Sequence, residues 1–376
     1  MFSQRKHFPD YIIFILLLII GIKLSYHSGN ITDIDPFDES IYLYRGTVLN
    51  PFIKHHLDGF LYYFWYKILS LFTTDNFELF FLNNSILLVL PGLLLFSFLR
   101  VMRVNIFPAF IAALLFMFSS ANIFVIPLIT KFAISVILFG FMFIYKIQKP
   151  CEKLLGAVLL AFILLYIRPE FILTLSVLSV LFILYVLRQS KGNPKLRLSL
   201  KIFPLVLMII IIIFFNPVSR HRANISFMQH YSRDILERET GAIQNLDQIT
   251  RPDEIMRRDF STDYSMSKAF INNPPLFLEH MGYNFYRTLE HIEDALPYFL
   301  SEKRDTVPKE MLFVISILLL ILTCYFILAR IKKKKFGVFD LIFILFSLPP
   351  FISVLIFYPR SLYDFHYSIS ADLFKL

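Results

Sequence analysis

Residues 79–99 read LFFLNNSILLVLPGLLLFSFL, and Arg100 follows them. A bilayer hydrocarbon core of about 30 Å is crossed by roughly 20 apolar residues in a helix. This stretch has that length and no charged side chain, so it predicts a membrane span. Similar runs recur along the chain, near 10–27, 104–119, 125–147, 154–168, 170–187, 202–217, 311–330 and 337–358, which makes nine candidates. The whole composition agrees: 57% of the 376 residues are hydrophobic, 44 of them Phe, and only 17% are charged, against roughly 25% in an average soluble domain. One soluble core cannot hide that much apolar surface. The same figures argue against disorder, a collagen-like repeat or a disulfide scaffold. The predicted class is therefore all-α, a polytopic membrane helix bundle.

The basic residues orient it. Arg5 and Lys6 precede the first run, Arg100 and Arg103 follow the second, and Lys146, Lys149 and Lys153 follow the fourth. Arg188, Lys191, Lys195, Arg197 and Lys201 follow the sixth, and Arg330 and Lys332 to Lys335 follow the eighth. Every second junction is basic, the pattern of cytoplasmic loops. The N-terminus is then inside and the C-terminus outside, which is the parity that nine spans require. The formal charge of +9 is thus mainly a topology signal and no argument for nucleic acid. No small-x-small cleavage site follows the first run, so an uncleaved span is expected there. Cys151 and Cys324 are the two cysteines; they predict neither a disulfide nor a metal site.

What remains outside is nearly neutral. The chain divides into a transmembrane module over 1–217 with its first external loop at 28–78, an external helical cap over 218–309, and two last spans with an external tail over 310–376. In the cap, Tyr231–Thr240 reads as a helix stopped by Gly241, with further helices over 252–272 and 276–300, the latter after Asn273-Pro274-Pro275. Apolar positions there, such as Phe277 and Met281, predict that the cap rests on the bundle.

The first external loop carries the chemistry. Asp33, Asp35, Asp38 and Glu39 lie within seven residues and repel one another, a cost that a general base or a polar sugar site would justify; a solvated acidic loop, or acids at a helix start before Ser40–Leu49, is the plainer alternative. Lys54-His55-His56-Leu57 follows, and then Leu61-Tyr62-Tyr63-Phe64-Trp65-Tyr66-Lys67. That aromatic block is too short to span and suits a surface helix at the membrane interface, with its rings as anchors. His55 and His56 are adjacent, a poor spacing for two ligands on one helix face.

Taken together, an uncleaved first span, Asp38-Glu39-x-x-Tyr42, Lys54-His55-His56-Leu57 before an aromatic surface helix, and a span containing Asn83-Asn84 resemble the GT-C glycosyltransferases. The nearest branch is that of the protein mannosyltransferases and the aminoarabinose transferases of lipid A. The resemblance covers roughly residues 10–170. His56 and Leu57 stand where that family usually has prolines, and the chain is shorter than most members. The resemblance implies transfer of a sugar, with inversion, from a polyprenyl-phosphate donor to an acceptor hydroxyl on the outer leaflet. The acceptor would be a lipid, glycan or protein. Asp38 matches the family's catalytic position, Glu39 would assist it or hold a cation, and Asp35 is the fallback base. Tyr42, His55 and His56 would line the substrate site. No cofactor is demanded, although Asp35 and Asp38 are placed to hold a divalent cation.

A departing lipid phosphate needs fixed cations. Lys131, Arg168, Arg220, Arg222 and Arg360 all fall on the external side under the charge-derived orientation. Each has a plainer role. Arg168 and Glu170 form a turn-capping pair, Arg220 and Arg222 contact lipid headgroups, and Arg360 snorkels. Asp340 is expected to face Lys334 or water. No phosphate-binding glycine loop is present, which disfavours a soluble nucleotide-sugar donor. Two other functions stay open. A surface-polysaccharide polymerase or ligase would rest on Arg220 and Arg222 and dispense with Asp38. A transporter would need ionisable groups or broken helices at mid-membrane, where the runs read as almost wholly Ile, Leu, Phe and Val. The composition suggests a bacterial inner membrane, with the site on its external face.

Overall fold

A computed structural model describes residues 8–26, 37–48, 59–123, 128–189, 195–218, 220–240, 251–290 and 337–357. Among the described residues every regular element is helical. The membrane module holds α1 (Phe8–Ser25), α2 (Phe37–Thr47), α3 (Phe60–Leu69), α4 (Asn76–Val101), α5 (Ile106–Met117), α6 (Ser120–Ile123), α7 (Ile129–Lys146) and α8 (Pro150–Leu165). A 3-10 turn (Pro169–Phe171) leads into α9 (Ile172–Gln189), and α10 (Lys195–Phe214) follows. The cap holds α11 (Arg220–Thr240), α12 (Pro252–Phe260), α13 (Met266–Asn272) and α14 (Pro274–Glu290), and α15 (Val338–Ile356) returns to the bundle. By length and composition, three of the described helices suffice to cross a membrane: α4, α7 and the segment Pro169–Arg188.

The helix α4 is the hub. Asp75 starts it, its carboxylate accepting from the amides of Phe77 at 2.8 Å and Glu78 at 2.9 Å, so the first-turn donors are met by a side chain. Pro91 lies inside the helix, where it removes one backbone bond. Gly92 beside it lets α5 approach so closely that a Cβ there would sit 2.3 Å from the Met117 side chain. Ala109, Ala113 and Met117, spaced four apart and fully buried, are the matching stripe on α5. Small residues at such crossings replace the missing hydrophobic drive between helices in lipid. At the far end Arg100 holds Asp10 of α1 at 2.7 Å and the Val104 carbonyl, so α1 and α4 run antiparallel.

The other half of the bundle packs on aromatic rings. Phe141 of α7 meets Phe339, Phe343 and Phe346 of α15 with centroids 5.3–5.8 Å apart. Thr174 of α9 donates to the Leu345 carbonyl at 2.6 Å. Facing outward are large apolar side chains on α1 (Ile15, Ile19, Ile22) and α10 (Phe203, Ile209, Ile213). Apolar stripes of that kind suit lipid and would be a liability in water.

The expected spans differ from the helices in informative ways. The run 104–119 becomes a 12-residue α5, closed at Phe118 and followed by the short α6. The run 202–217 lies on a helix that begins earlier, at Lys195. The run 311–330 lies outside the described residues. In the cap, the helix expected over Tyr231–Thr240 belongs to a longer one described over Arg220–Thr240, and the expected stop at Gly241 lies outside the described residues. The helix expected over 252–272 is two helices, because the amides of Asn272 and Asn273 return to the carbonyls of Phe260 at 2.9 Å and Asp259 at 3.0 Å and hold a turn at Ser261. The next helix starts at Pro274 and is described to Glu290. Asp340 does not serve as a solvent-facing acid; it accepts the Gly337 amide at 2.8 Å and caps α15. Phe227, Tyr231, Met256, Phe260, Ala269 and Phe277 give the cap its own small core, and α14 packs on α15.

Candidate functional site

The chain after α1 returns to the bundle as α2 and α3, packed against each other and against α4. Gly59 makes the entry to α3 with φ 79°. A Cβ there would meet Tyr42 at 3.2 Å and Ile129 at 3.3 Å as well as strain the backbone, so only glycine fits both demands. The Leu61 amide donates to the Tyr166 carbonyl at 3.1 Å, which ties α3 to the end of α8.

Glu39 is the centre of this end of the molecule. It is 2% exposed. Its Oε1 accepts hydrogen bonds from the hydroxyls of both Tyr62 and Tyr66 at 2.5 Å. Tyr62 Oη in turn accepts from Asn83 Nδ2 at 2.9 Å, and Asn83 Oδ1 accepts from Trp65 Nε1 at 2.8 Å. A buried carboxylate needs such donors. Burial, reinforced by the Glu39 charge, holds both phenols well above the usual tyrosine range. They therefore stay neutral donors under any physiological condition.

A buried lysine of α7 lies beside it. Lys131 is 2% exposed and lies within Coulombic reach of Glu39. Its Nζ donates to the Asn122 carbonyl at 2.9 Å. The Asn122 amide caps the carbonyls of Leu88 at 2.8 Å and Met117 at 3.1 Å. Next to Lys131, Thr130 accepts from Arg168 Nη1 at 3.3 Å, and Arg168 Nε holds Glu170 at 2.5 Å. Asn84, wholly buried on α4, has neither amide atom hydrogen-bonded among the described residues.

Five of the expected site residues are thus brought to one end: Glu39, Tyr42, Lys131, Arg168 and Glu170. Their roles differ from the expectation in two respects. Glu39 is a buried anchor for α2. Tyr42 is 7% exposed and packs its ring against Tyr62 at 5.4 Å and Tyr63 at 5.5 Å, so it joins α2 to α3. The turn-capping pair foreseen for Arg168 and Glu170 is present. Asp38 is placed on the first turn of α2, next to Glu39, and Arg220 and Arg222 on the first turn of α11. Asp35, His55, His56 and Arg360 lie outside the described residues, and so does any cation site built on Asp35. Among the described residues, no group of three or more His, Cys, Asp or Glu side chains is placed to hold a metal ion.

The aromatic block departs most from its sequence reading. Tyr62, Tyr63 and Tyr66 were expected at the membrane interface; they are buried, and two of them hold the carboxylate. The runs, read as almost wholly apolar at mid-membrane, bury a polar string at this end, Asn83, Asn84, Asn122 and Lys131. The signal for it was present in the two adjacent asparagines of the α4 run, each costly in lipid without a partner. Compared with protein-family models, with curated proteins and with solved structures, the chain matches none.

Proposed function

We propose that this chain is an integral-membrane glycosyltransferase that moves a sugar from a polyprenyl-phosphate donor to an acceptor hydroxyl on the external face. One observation carries the proposal. The acidic first-loop segment is locked by Glu39 onto a buried network beside Lys131, and Arg168 is joined to the neighbouring Thr130. An acid held next to basic side chains at one end of a membrane bundle suits a reaction in which a hydroxyl loses a proton and a phosphate departs. In this scheme Glu39, Tyr62 and Tyr66 fix α2, and Asp38 is the base that takes the acceptor proton. Oxygen of the acceptor attacks the anomeric carbon as the bond to the lipid phosphate breaks. Arg168, Arg220 and Arg222 would bind the departing phosphate.

The nine spans, the cytoplasmic N-terminus and a bacterial inner membrane belong to the same proposal, supported by the alternation of basic junctions. The direct test is Asp38→Asn in cells lacking the native gene. Transfer should stop while membrane insertion and amount are unchanged; full transfer by the variant removes Asp38 as the base. A polysaccharide polymerase is the second function in contention, favoured by Arg220 and Arg222 opening α11 directly after the α10 span. It predicts the reverse order, with the arginines essential and Asp38 dispensable.

A further inference from the structure

The helix α14 of the cap is amphipathic in the sense opposite to that of a helix facing water. Its inner stripe is Phe277, His280, Asn284 and Thr288, all 6% exposed or less. Three of those four are polar. His280 Nδ1 lies 2.8 Å from Asp234 Oδ2 of α11, and the Asn284 amide donates to the Leu355 carbonyl of α15 at 2.9 Å. The outer stripe repeats the spacing with Pro275, Leu278, Gly282 and Tyr286, all exposed, Leu278 to 56%. Beside it α13 turns out Phe270 and Ile271, the latter 72% exposed. The Phe270 ring lies 5.4 Å from that of Phe277, so the two helices meet at one apolar corner. A surface helix in water keeps its polar residues outside and its apolar ones inside; here the polar residues are buried and the apolar ones face out.

Gly282 sharpens the point. Glycine inside a helix is destabilising, and a Cβ at this position would meet no atom within 4 Å. Close packing among the described residues therefore does not call for it, and it leaves a notch in the outer stripe between Leu278 and Tyr286. The corner belongs to the end of the bundle where apolar helices stop. The first cap helix, α11, starts at Arg220, six residues after α10 ends at Phe214, and Ile213 and Phe214 there are among the most exposed apolar side chains of α10. At the end of α15, Ile356 and Phe357 pack into the cap core. The acid next to the outer stripe, Glu279, is held by Arg238 at 3.3 Å.

We infer that the α13–α14 corner is a membrane-contact surface whose partner is the acyl chains of the leaflet at this end of the bundle. It rests on the reading that α10 and α15 cross the membrane. An interfacial helix lies with its apolar face about 5–10 Å into the boundary between headgroups and chains, and the notch at Gly282 gives a chain room to lie against the backbone. The cap is then held twice, by α15 through the inner stripe of α14 and by lipid through the outer one.

The test is spin labelling of the full chain in phosphatidylcholine nanodiscs. The background is Cys151→Ser/Cys324→Ser, carrying Ile271→Cys, Leu278→Cys, Ile213→Cys on α10 or Glu254→Cys on α12 singly. Labels at 271 and 278 should collide often with oxygen, which concentrates in lipid, and seldom with a water-soluble nickel chelate, as the label at 213 does. The label at 254, where the side chain is 56% exposed, should show the reverse. If 271 and 278 behave like 254 while 213 meets lipid, the corner stands in water and the inference fails alone. Shielding of both from oxygen and nickel alike means that protein covers the corner, a second copy or another chain, and also overturns it. A label at 213 that meets water removes the span reading and the inference with it. Should the labelled chains not accumulate, the wild-type chain in nanodiscs with a diazirine in the acyl chain decides the question. Adducts within residues 270–286 support the contact; adducts on α10 with none there refute it.

Discussion

Replacing Glu39 should unfasten α2, and the size of the effect can be worked from the contacts. Oε1 accepts two phenol hydroxyls, and hydrogen bonds to a charged group each contribute about 1.5–3 kcal/mol. In Glu39→Ala, Tyr66 loses that acceptor, Tyr62 keeps only its contact with Asn83, and the buried Lys131 loses a nearby opposite charge. The two bonds together are therefore worth about 3–6 kcal/mol. Glu39→Gln retains an oxygen for both phenols and loses only the charge, so about 1–2 kcal/mol is expected. Tyr66→Phe should fall in the same range, and the Glu39→Gln and Tyr66→Phe changes should be non-additive, because one weakens the bond that the other removes. The chain supplies its own reporter. Trp65 is the sole tryptophan, bonded to Asn83 and stacked on Phe132 at 5.6 Å, so its fluorescence reads this network during unfolding by SDS in mixed micelles. The account fails here if Glu39→Ala costs under about 1 kcal/mol, or if the two changes simply add.

Three further outcomes follow from the same geometry. Tyr62 and Tyr66 titrate above the usual tyrosine range because of burial and the Glu39 charge. Their contribution is therefore complete below the unfolded value of about 10 and lost above it. Stability should drop above about pH 10, and the drop should be shallower in Tyr62→Phe/Tyr66→Phe. Asn84→Leu removes an amide with no bond among the described residues and should leave stability equal or higher, whereas Asn83→Leu breaks two bonds and should cost about 1–3 kcal/mol; equal losses would contradict the network. Arg168→Gln keeps a side-chain amide donor for Thr130 or Glu170 and should keep the fold, at a cost of about 1–3 kcal/mol. It should nevertheless reduce transfer if the guanidinium faces the donor phosphate. Unaltered kinetics would leave Arg168 as a turn cap alone.

The elements that sequence reading located best are those decided by composition over a long window. The α4 run announces itself because its apolar residues and its flanking Asp75 and Arg100 all point to one helix. Less was visible where a single distant partner decides. Glu39 and Tyr66 are 27 positions apart, and nothing in an aromatic block distinguishes a ring destined for the interface from one that turns inward to a carboxylate. The split between α12 and α13 was equally hidden. Ser261 adopts φ 51° without being glycine, and the asparagine side chains that hold the turn lie more than ten residues downstream. The placement of Lys131 and Arg168 at the end that carries α2 was foreseen from charge parity alone. The burial of the adjacent asparagines Asn83, Asn84 and Asn122 was not, because three polar residues hardly lower the hydropathy of runs so rich in Ile, Leu and Phe.

The central claim is sugar transfer by the acidic first loop, and it is tested most directly by the composition of surface glycans and lipids in cells that lack this protein. The null strain should lack one sugar addition. The native chain should restore it, Glu39→Gln should restore it in part, and Asp38→Asn should be inserted normally and restore nothing. Full restoration by Asp38→Asn, or a loss of chain length in place of a single missing sugar, would contradict the account.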